Sequence, residues 1–289
     1  MKLKDFAIRD PFILADRFTQ KYYMYASFAE GGKKGFKVYE SSDLTEWIEP
    51  YAVFVADESF WATDDFWAPE VHYYKGKYYL FGTFGVKDKK RNSQILVADS
   101  PKGPFTPFSA LLGPENWFVL DATLYVENGV PYALYSHEWL QIYDGSLYCV
   151  RLKDDLSAPV GEPIFLFKAS ESGWATSPLW NPKDKPVYVF DAPFVYEIDG
   201  VKFILWSSWS KENCNAYSVG VAYPEKGVLG GKYRHALLDL PHCDCGHAMI
   251  FKDFSGKDKI VFHENNSVIG GERAAIYNIM ISNGELVVK

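Results

Sequence analysis

Apolar and aromatic residues come along this chain in runs of four to seven, each bounded by Gly, Asp, Asn, Lys or Pro, and helical periodicity is scarce. Such a pattern predicts short strands joined by tight turns. The runs also repeat. Asp10-Pro11-Phe12-Ile13-Leu14 leads to Tyr22-Tyr23-Met24-Tyr25-Ala26-Ser27, and Ala68-Pro69-Glu70-Val71 leads to Tyr78-Tyr79-Leu80-Phe81-Gly82. Asp121-Ala122-Thr123-Leu124 leads through Asn128-Gly129 to Tyr132-Ala133-Leu134-Tyr135-Ser136. Asp191-Ala192-Pro193-Phe194 leads through Asp199-Gly200 to Phe203-Ile204-Leu205-Trp206-Ser207. His247-Ala248-Met249-Ile250-Phe251 leads to Ile260-Val261-Phe262-His263. Each unit predicts a strand, a hairpin turn and a second, more aromatic strand. Units begin roughly 55 to 70 residues apart, which leaves room for four strands in each. Five such units predict an all-β, five-bladed β-propeller that takes residues 1–289 as a single domain. A two-sheet sandwich fits five similar units poorly.

Composition narrows the function. The chain has 289 residues, 48% hydrophobic and 17% aromatic, which is enough to fill a core and excludes disorder. Its formal net charge of −7 has the wrong sign for a phosphate backbone, so no nucleic-acid partner is expected. No apolar window is long enough to span a membrane, and the start, MKLKDFAIRDPFIL, lacks the apolar core of a signal peptide. The reading is cytoplasmic, which a secreted chain trimmed of its signal would mimic. The four cysteines, Cys149, Cys214, Cys243 and Cys245, are too few for a disulfide scaffold and read as free thiols in a reducing compartment. The cluster from His242 to His247 lacks the second ligand pair of a zinc site. The charged run Lys87–Arg91 reads as a solvated turn. There is no phosphate loop and no Gly-x-Ser-x-Gly pattern.

In a propeller the first strand of each blade lines the central channel, so polar residues at its start converge at one mouth. The corresponding positions carry Asp10, Glu70, Asp121, Asp191 and His247. Carboxylates gathered round one axis shift one another's pKa and point to acid–base chemistry or a bound cation. Two carboxyl groups on either side of a sugar, one protonated and one ionised, are the minimum for glycoside hydrolysis. Trp61, Trp67, Trp117, Trp139, Trp174 and Trp180 lie near blade starts, where aromatic faces would suit the partly apolar faces of a sugar.

The segments Arg9-Asp10-Pro11, Phe66-Trp67-Ala68-Pro69-Glu70-Val71, Leu120-Asp121-Ala122, Asp191-Ala192-Pro193-Phe194 and Gly246-His247-Ala248-Met249 together resemble the successive blade motifs of glycoside hydrolase family 43. The resemblance covers nearly the whole chain. It implies an inverting hydrolase of α-L-arabinofuranosides or β-D-xylosides from plant cell-wall oligosaccharides. By the same resemblance Asp10 would be the general base, Asp121 would tune and orient the acid, and Asp191 would fall at the acid position. His247 would sit on the channel axis, beside a water or a structural cation such as calcium; no other cofactor is implied. Trp67, Glu70, Trp139 and Arg273 are the expected substrate contacts, an oligosaccharide is the expected partner, and no protein or membrane partner is expected. His137 and His263 read as hydrogen-bonded structural residues.

One departure matters. The acid motif of that family usually reads Glu-Gly-Pro, whereas this chain has Asp191-Ala192-Pro193. The carboxyl group therefore sits about 1.5 Å further back, one carbon–carbon bond, and a shift of that size can cost roughly a hundredfold in rate. Three readings stay open at this point. The loop advances Asp191, or Glu138 serves as the acid, or the propeller mainly binds carbohydrate. A fructan hydrolase or a glycoside phosphorylase is a further alternative. The loops at residues 28–35, 85–92 and 170–186 would decide between internal and terminal cleavage.

Overall fold

The structure is a computed structural model that describes residues 1–181 and 183–289. Its strands form five four-stranded antiparallel sheets, each ordered as in the chain. Blade I holds β1 (Phe12–Asp16), β2 (Lys21–Glu30), β3 (Lys33–Ser41) and β4 (Tyr51–Val55). Blade II holds β5 (Asp64–Tyr74), β6 (Lys77–Val86), β7 (Lys90–Ala98) and β8 (Thr106–Pro107). Blade III holds β9 (Val119–Glu127), β10 (Val130–His137), β11 (Ser146–Leu152) and β12 (Pro159–Lys168), with the short helix α1 (Trp139–Ile142) after β10. Blade IV holds β13 (Asp191–Ile198), β14 (Val201–Ser210), β15 (Ala216–Pro224) and β16 (Tyr233–Leu237). Blade V holds β17 (Gly246–Lys252), β18 (Asp258–Glu264), β19 (Arg273–Ser282) and β20 (Glu285–Val288). The first strands β1, β5, β9, β13 and β17 touch in turn, and β17 returns to β1. The five-bladed propeller expected from the repeat is therefore what the chain forms.

Local chemistry explains the strands. Asn128-Gly129 and Asp199-Gly200 are two-residue hairpin turns with φ of 51° and 79°, and of 51° and 78°. Both central residues of such a turn need positive φ, which Asn, Asp and Gly tolerate best. Aromatic side chains fill the space between blades. Phe36, Phe54, Phe66 and Phe84 interlock where blades I and II meet, and Phe190 stacks on Trp206 at 4.6 Å. Because blade I is wholly N-terminal and blade V wholly C-terminal, no strand is shared across the closure. The ends meet by packing and by hydrogen bonds such as Ile8 N–H to the Glu272 carbonyl, 3.1 Å.

Every inner strand begins with an irregularity of one kind. Asp10, Ala68, Asp121, Ala192 and His247 all have φ between 47° and 54°, the left-handed region. The pairing register slips at this point in blades II to V. These are bulges that re-aim the side chains on either side of them. Non-glycine residues hold this conformation only where surroundings over-determine it. In three blades a side chain on the second strand of the preceding blade takes the amide of that residue. Thr83 Oγ1 accepts the Asp121 amide at 2.9 Å, Ser207 Oγ accepts the His247 amide at 2.9 Å, and His263 Nδ1 accepts the Asp10 amide at 3.2 Å. All three are fully buried.

The cysteine expectation is corrected. Cys214 and Cys243 are disulfide-bonded with their Cα atoms 6.2 Å apart, and only Cys149 and Cys245 are free and buried. The bridge joins the β14–β15 turn to the loop before β17, 29 residues further on. Bridges persist in oxidising compartments, so the cysteines carry no argument for a reducing one. Among the described residues, no helix is long and apolar enough to cross a membrane.

If the bulges depend on these side chains, Ser207→Ala strands a buried backbone N–H. Urea unfolding is expected to show a loss of about 1–3 kcal/mol. A loss below about 0.5 kcal/mol, the level of a neutral surface change, would mean that the bulge holds itself.

Candidate active site

A cavity of about 520 Å³ opens over the starts of the inner strands. The bulges build its walls in two sets. The residues in the left-handed conformation contribute Asp10, Asp121 and His247, and the residues just before them contribute Arg9, Trp67, Leu120 and Asp191. This corrects the expected alignment. The positions equivalent to Asp10 in blades II and IV are Ala68 and Ala192, not Glu70 and Asp191. Asp191 still reaches the cavity, because the residue before the bulge also faces it. Glu70, two residues beyond the bulge, does not line the cavity. It is buried against His72, 3.0 Å away.

His247 sits between two carboxylates. Its Nδ1 is 3.1 Å from Asp10 Oδ1 and 4.0 Å from Asp121 Oδ2. Burial alone would lower its pKa, but Asp10, then Asp121 and Glu70, raise it to about 9. Burial would likewise raise Asp10, yet the His247 imidazolium, with Arg9 behind it, holds that carboxyl well below its ordinary range. Asp121 is pushed up to about 6, by burial first and then by Asp10 against the pull of His247. Its Oδ2 accepts the Ala192 amide at 3.1 Å, which ties it to the strand start that carries Asp191.

Asp191 is the carboxyl pushed furthest towards its acid form. Burial and the neighbouring Asp121 charge raise it to about 8. The Tyr217 hydroxyl donates to its Oδ2 at 2.9 Å and pulls the other way. Tyr217 has its own dependence on sequence: a Cβ on Gly246 would lie 2.0 Å from its ring, so only glycine leaves room there. Asp10 is thus ionised and Asp191 protonated near neutral pH, on the walls of one cavity. That division of roles between two carboxyl groups is what general acid–base chemistry requires.

Glu138 also lines the cavity, but its carboxyl is taken. Arg91 pairs with it, and also with Asp65 at 2.8 Å, while stacking over Trp67 at 4.4 Å. Burial raises the Glu138 pKa and the Arg91 charge opposes that. Arg91 belongs to the run expected to be a solvated turn. Its side chain is only 13% exposed and points inward, so that expectation is corrected.

The remaining candidates separate cleanly. Trp67 and Trp139 line the cavity. Trp174 is buried on Trp206, Trp117 stacks on His137, and Trp61 donates to Gln94 at 2.9 Å. His137 and His263 are hydrogen-bonded as expected, to Gln141 at 2.7 Å and to Asn266 at 3.1 Å. Arg273 is a correction. It does not line the cavity but holds the carbonyls of Lys4, Gly270 and Glu272, where the N-terminal segment meets blade V. For a calcium ion the donors do not fit. Calcium takes six to eight oxygens, whereas His247 offers only a ring nitrogen at the axis, and among the described residues no group of three His, Cys, Asp or Glu is arranged to hold a metal. In the His242–His247 cluster, Cys243 is tied up in the bridge to Cys214.

The sequence profile of glycosyl hydrolases family 43 matches residues 4–282. The fold superposes on the endo-arabinase of Bacteroides thetaiotaomicron VPI-5482 with a TM-score of 0.89 and 40% identity, over 99% of this chain and 98% of that one. An endo-1,4-beta-xylanase from the same organism gives 0.75 with 22% identity over 98% and 94%, a likeness of fold. A probable arabinan endo-1,5-alpha-L-arabinosidase C of Aspergillus niger is 27% identical over 157 residues, 49% of this chain. The match spans only 41% of that protein's length.

Arg91→Met leaves the buried Glu138 carboxylate without its cation. Denaturation is expected to show a loss of about 3–5 kcal/mol, with part recovered when Glu138→Gln is added. Equal losses in the single and double variants would show that the pair is not coupled.

Proposed function

The chain belongs to glycosyl hydrolases family 43, and on that premise we propose that it hydrolyses arabinan-type chains at α-L-arabinofuranosyl linkages, with inversion. The observation that carries the reading is the placement of two aspartates on the walls of one cavity, Asp10 against His247 and Asp191 under the Tyr217 hydroxyl, which favours the ionised form of the first while burial and the Asp121 charge favour the acid form of the second. Likeness to the Bacteroides endo-arabinase along almost the whole chain favours arabinan over xylan. Asp191, held at Oδ2 by Tyr217, keeps Oδ1 for the proton it delivers to the glycosidic oxygen. As that carbon–oxygen bond breaks, positive charge spreads over the ring oxygen and anomeric carbon. Asp10 takes a proton from a water on the opposite face, and the water oxygen bonds to the anomeric carbon. The sugar leaves with inverted configuration, Asp191 is ionised and Asp10 protonated, and a proton returning through solvent restores both.

Asp121 acts on Asp191 rather than on the sugar. Its charge raises the acid's pKa, and its bond to the Ala192 amide fixes that strand start. Tyr217 fixes where the carboxyl of this shorter residue lies. Glu138 is also raised above its ordinary value, by burial against the opposing Arg91 charge, but it fits the acid role less well because its carboxyl is already paired with Arg91.

Arabino- and xylo-oligosaccharides assayed by NMR test this directly. Asp10→Asn and Asp191→Asn are each expected to lose about 10²–10⁴-fold in kcat, and Glu138→Gln far less. Retained product configuration, or a larger loss in Glu138→Gln than in Asp191→Asn, would refute the assignment. The kcat/KM profile is expected to fall as pH rises through about 8, as Asp191 loses its proton. Removing the Asp121 charge lowers the acid's pKa, so Asp121→Asn should move that limb to lower pH. An unmoved limb would contradict the tuning role.

A further inference from the structure

Outside the cavity, an exposed indole has no part in this chemistry. Trp180 is 53% exposed, next to Leu179 at 84%. Isolated exposed apolar residues need no explanation, but this one is braced. Its ring stands edge-to-face against Trp139, with centroids 5.9 Å apart, and against Trp209 at 5.3 Å. The loop that carries it is also tied down. The Asn181 amide donates to the Pro178 carbonyl at 3.1 Å, the Asn181 side chain and the Val187 amide both reach Ser177 Oγ at 3.2 Å, and the Thr176 amide donates to the Trp209 carbonyl at 2.8 Å. Trp139 is part of the cavity wall, so the aromatic row starts at the site of chemistry and runs outward.

An indole fixed in advance loses little freedom when something docks on it. Its apolar face and polar N–H suit a ligand that is apolar on one side and wet on the other. A sugar ring is such a ligand, with C–H groups on its face and hydroxyls at its edge. We propose that Trp180, braced by Trp139 and Trp209, is a stacking platform for a backbone sugar residue outside the linkage being cut. The proposal rests on the arabinan reading and extends it: the bound chain continues past the cavity along blades III and IV, and affinity grows with chain length.

The test uses the inactive Asp10→Asn background, so binding is read without hydrolysis. Arabinohexaose and arabinobiose are titrated calorimetrically into Asp10→Asn and into Asp10→Asn with Trp180→Ala. Hexaose binding is expected to weaken about tenfold, the order of one lost stacking contact, while biose binding stays the same. Trp180→Phe should keep most of the hexaose affinity. In the active chain, Trp180→Ala should raise KM on linear arabinan without lowering kcat, and leave kcat/KM on an aryl arabinofuranoside unchanged. Equal hexaose affinity with and without Trp180 would overturn the platform alone. So would self-association of the chain that Trp180→Ala abolishes while sugar affinity is kept. Absence of binding to any arabino- or xylo-oligosaccharide in Asp10→Asn would overturn the platform and the functional reading together.

Discussion

Three carboxyl groups, Asp121 buried and Asp10 and Asp191 half-buried, share one imidazolium. Asp10, Asp121 and Asp191 crowd the mouth of the propeller, and His247 is the cation set between the first two. His247, with Arg9 on the far side of Asp10, cannot keep three neighbouring carboxylates ionised in so enclosed a site, since each charge raises the others' pKa and burial adds to it. The proton settles where the cation is most remote and the like charge is close, which is Asp191. Asp10, in direct contact with His247, stays ionised. In the mechanism we propose, acid and base are thus set by position relative to His247, although both are aspartates.

That arrangement needs backbone placed to a fraction of an ångström, and the propeller supplies it five times over. At the start of each inner strand a left-handed residue brings its own side chain, the one before it, or both into the mouth. Each blade helps to set its neighbour: Thr83 holds the Asp121 amide, Ser207 the His247 amide and His263 the Asp10 amide. The ring is therefore the unit of function as well as of folding. The Asp191–Tyr217–Gly246 contact carries the same coupling across blades IV and V.

The fold was legible in the sequence because strand, turn and aromatic strand recur in order, and recurrence survives local irregularity. Asp10, Asp121, Asp191 and His247 were legible for the same reason. Glu70 was misplaced because a bulge adds a residue that spacing alone does not reveal, and in blade II the left-handed residue is Ala68, not the conspicuous acid that follows. Arg91 was hidden in a charged run, where only the fold separates the residue that turns inward from those that stay in water. Tyr217 lies in an apolar strand and carries no motif. Its signal was indirect, a glycine at 246 in a position where the other blades carry side chains. Arg273 and the Cys214–Cys243 bridge depend on contacts across the ring closure and between loops, which no local pattern encodes.

The central claim is that Asp191 holds the proton and Asp10 does not. Carbon-13 NMR of aspartate carboxyl groups, followed across pH in the free protein and assigned with Asp10→Asn and Asp191→Asn, measures this without any substrate. The expected result is an Asp191 carboxyl still protonated at pH 7 that titrates near 8, beside an Asp10 signal ionised throughout the neutral range. Both signals ionised at pH 7, or a proton on Asp10, would contradict the division of acid and base set by His247.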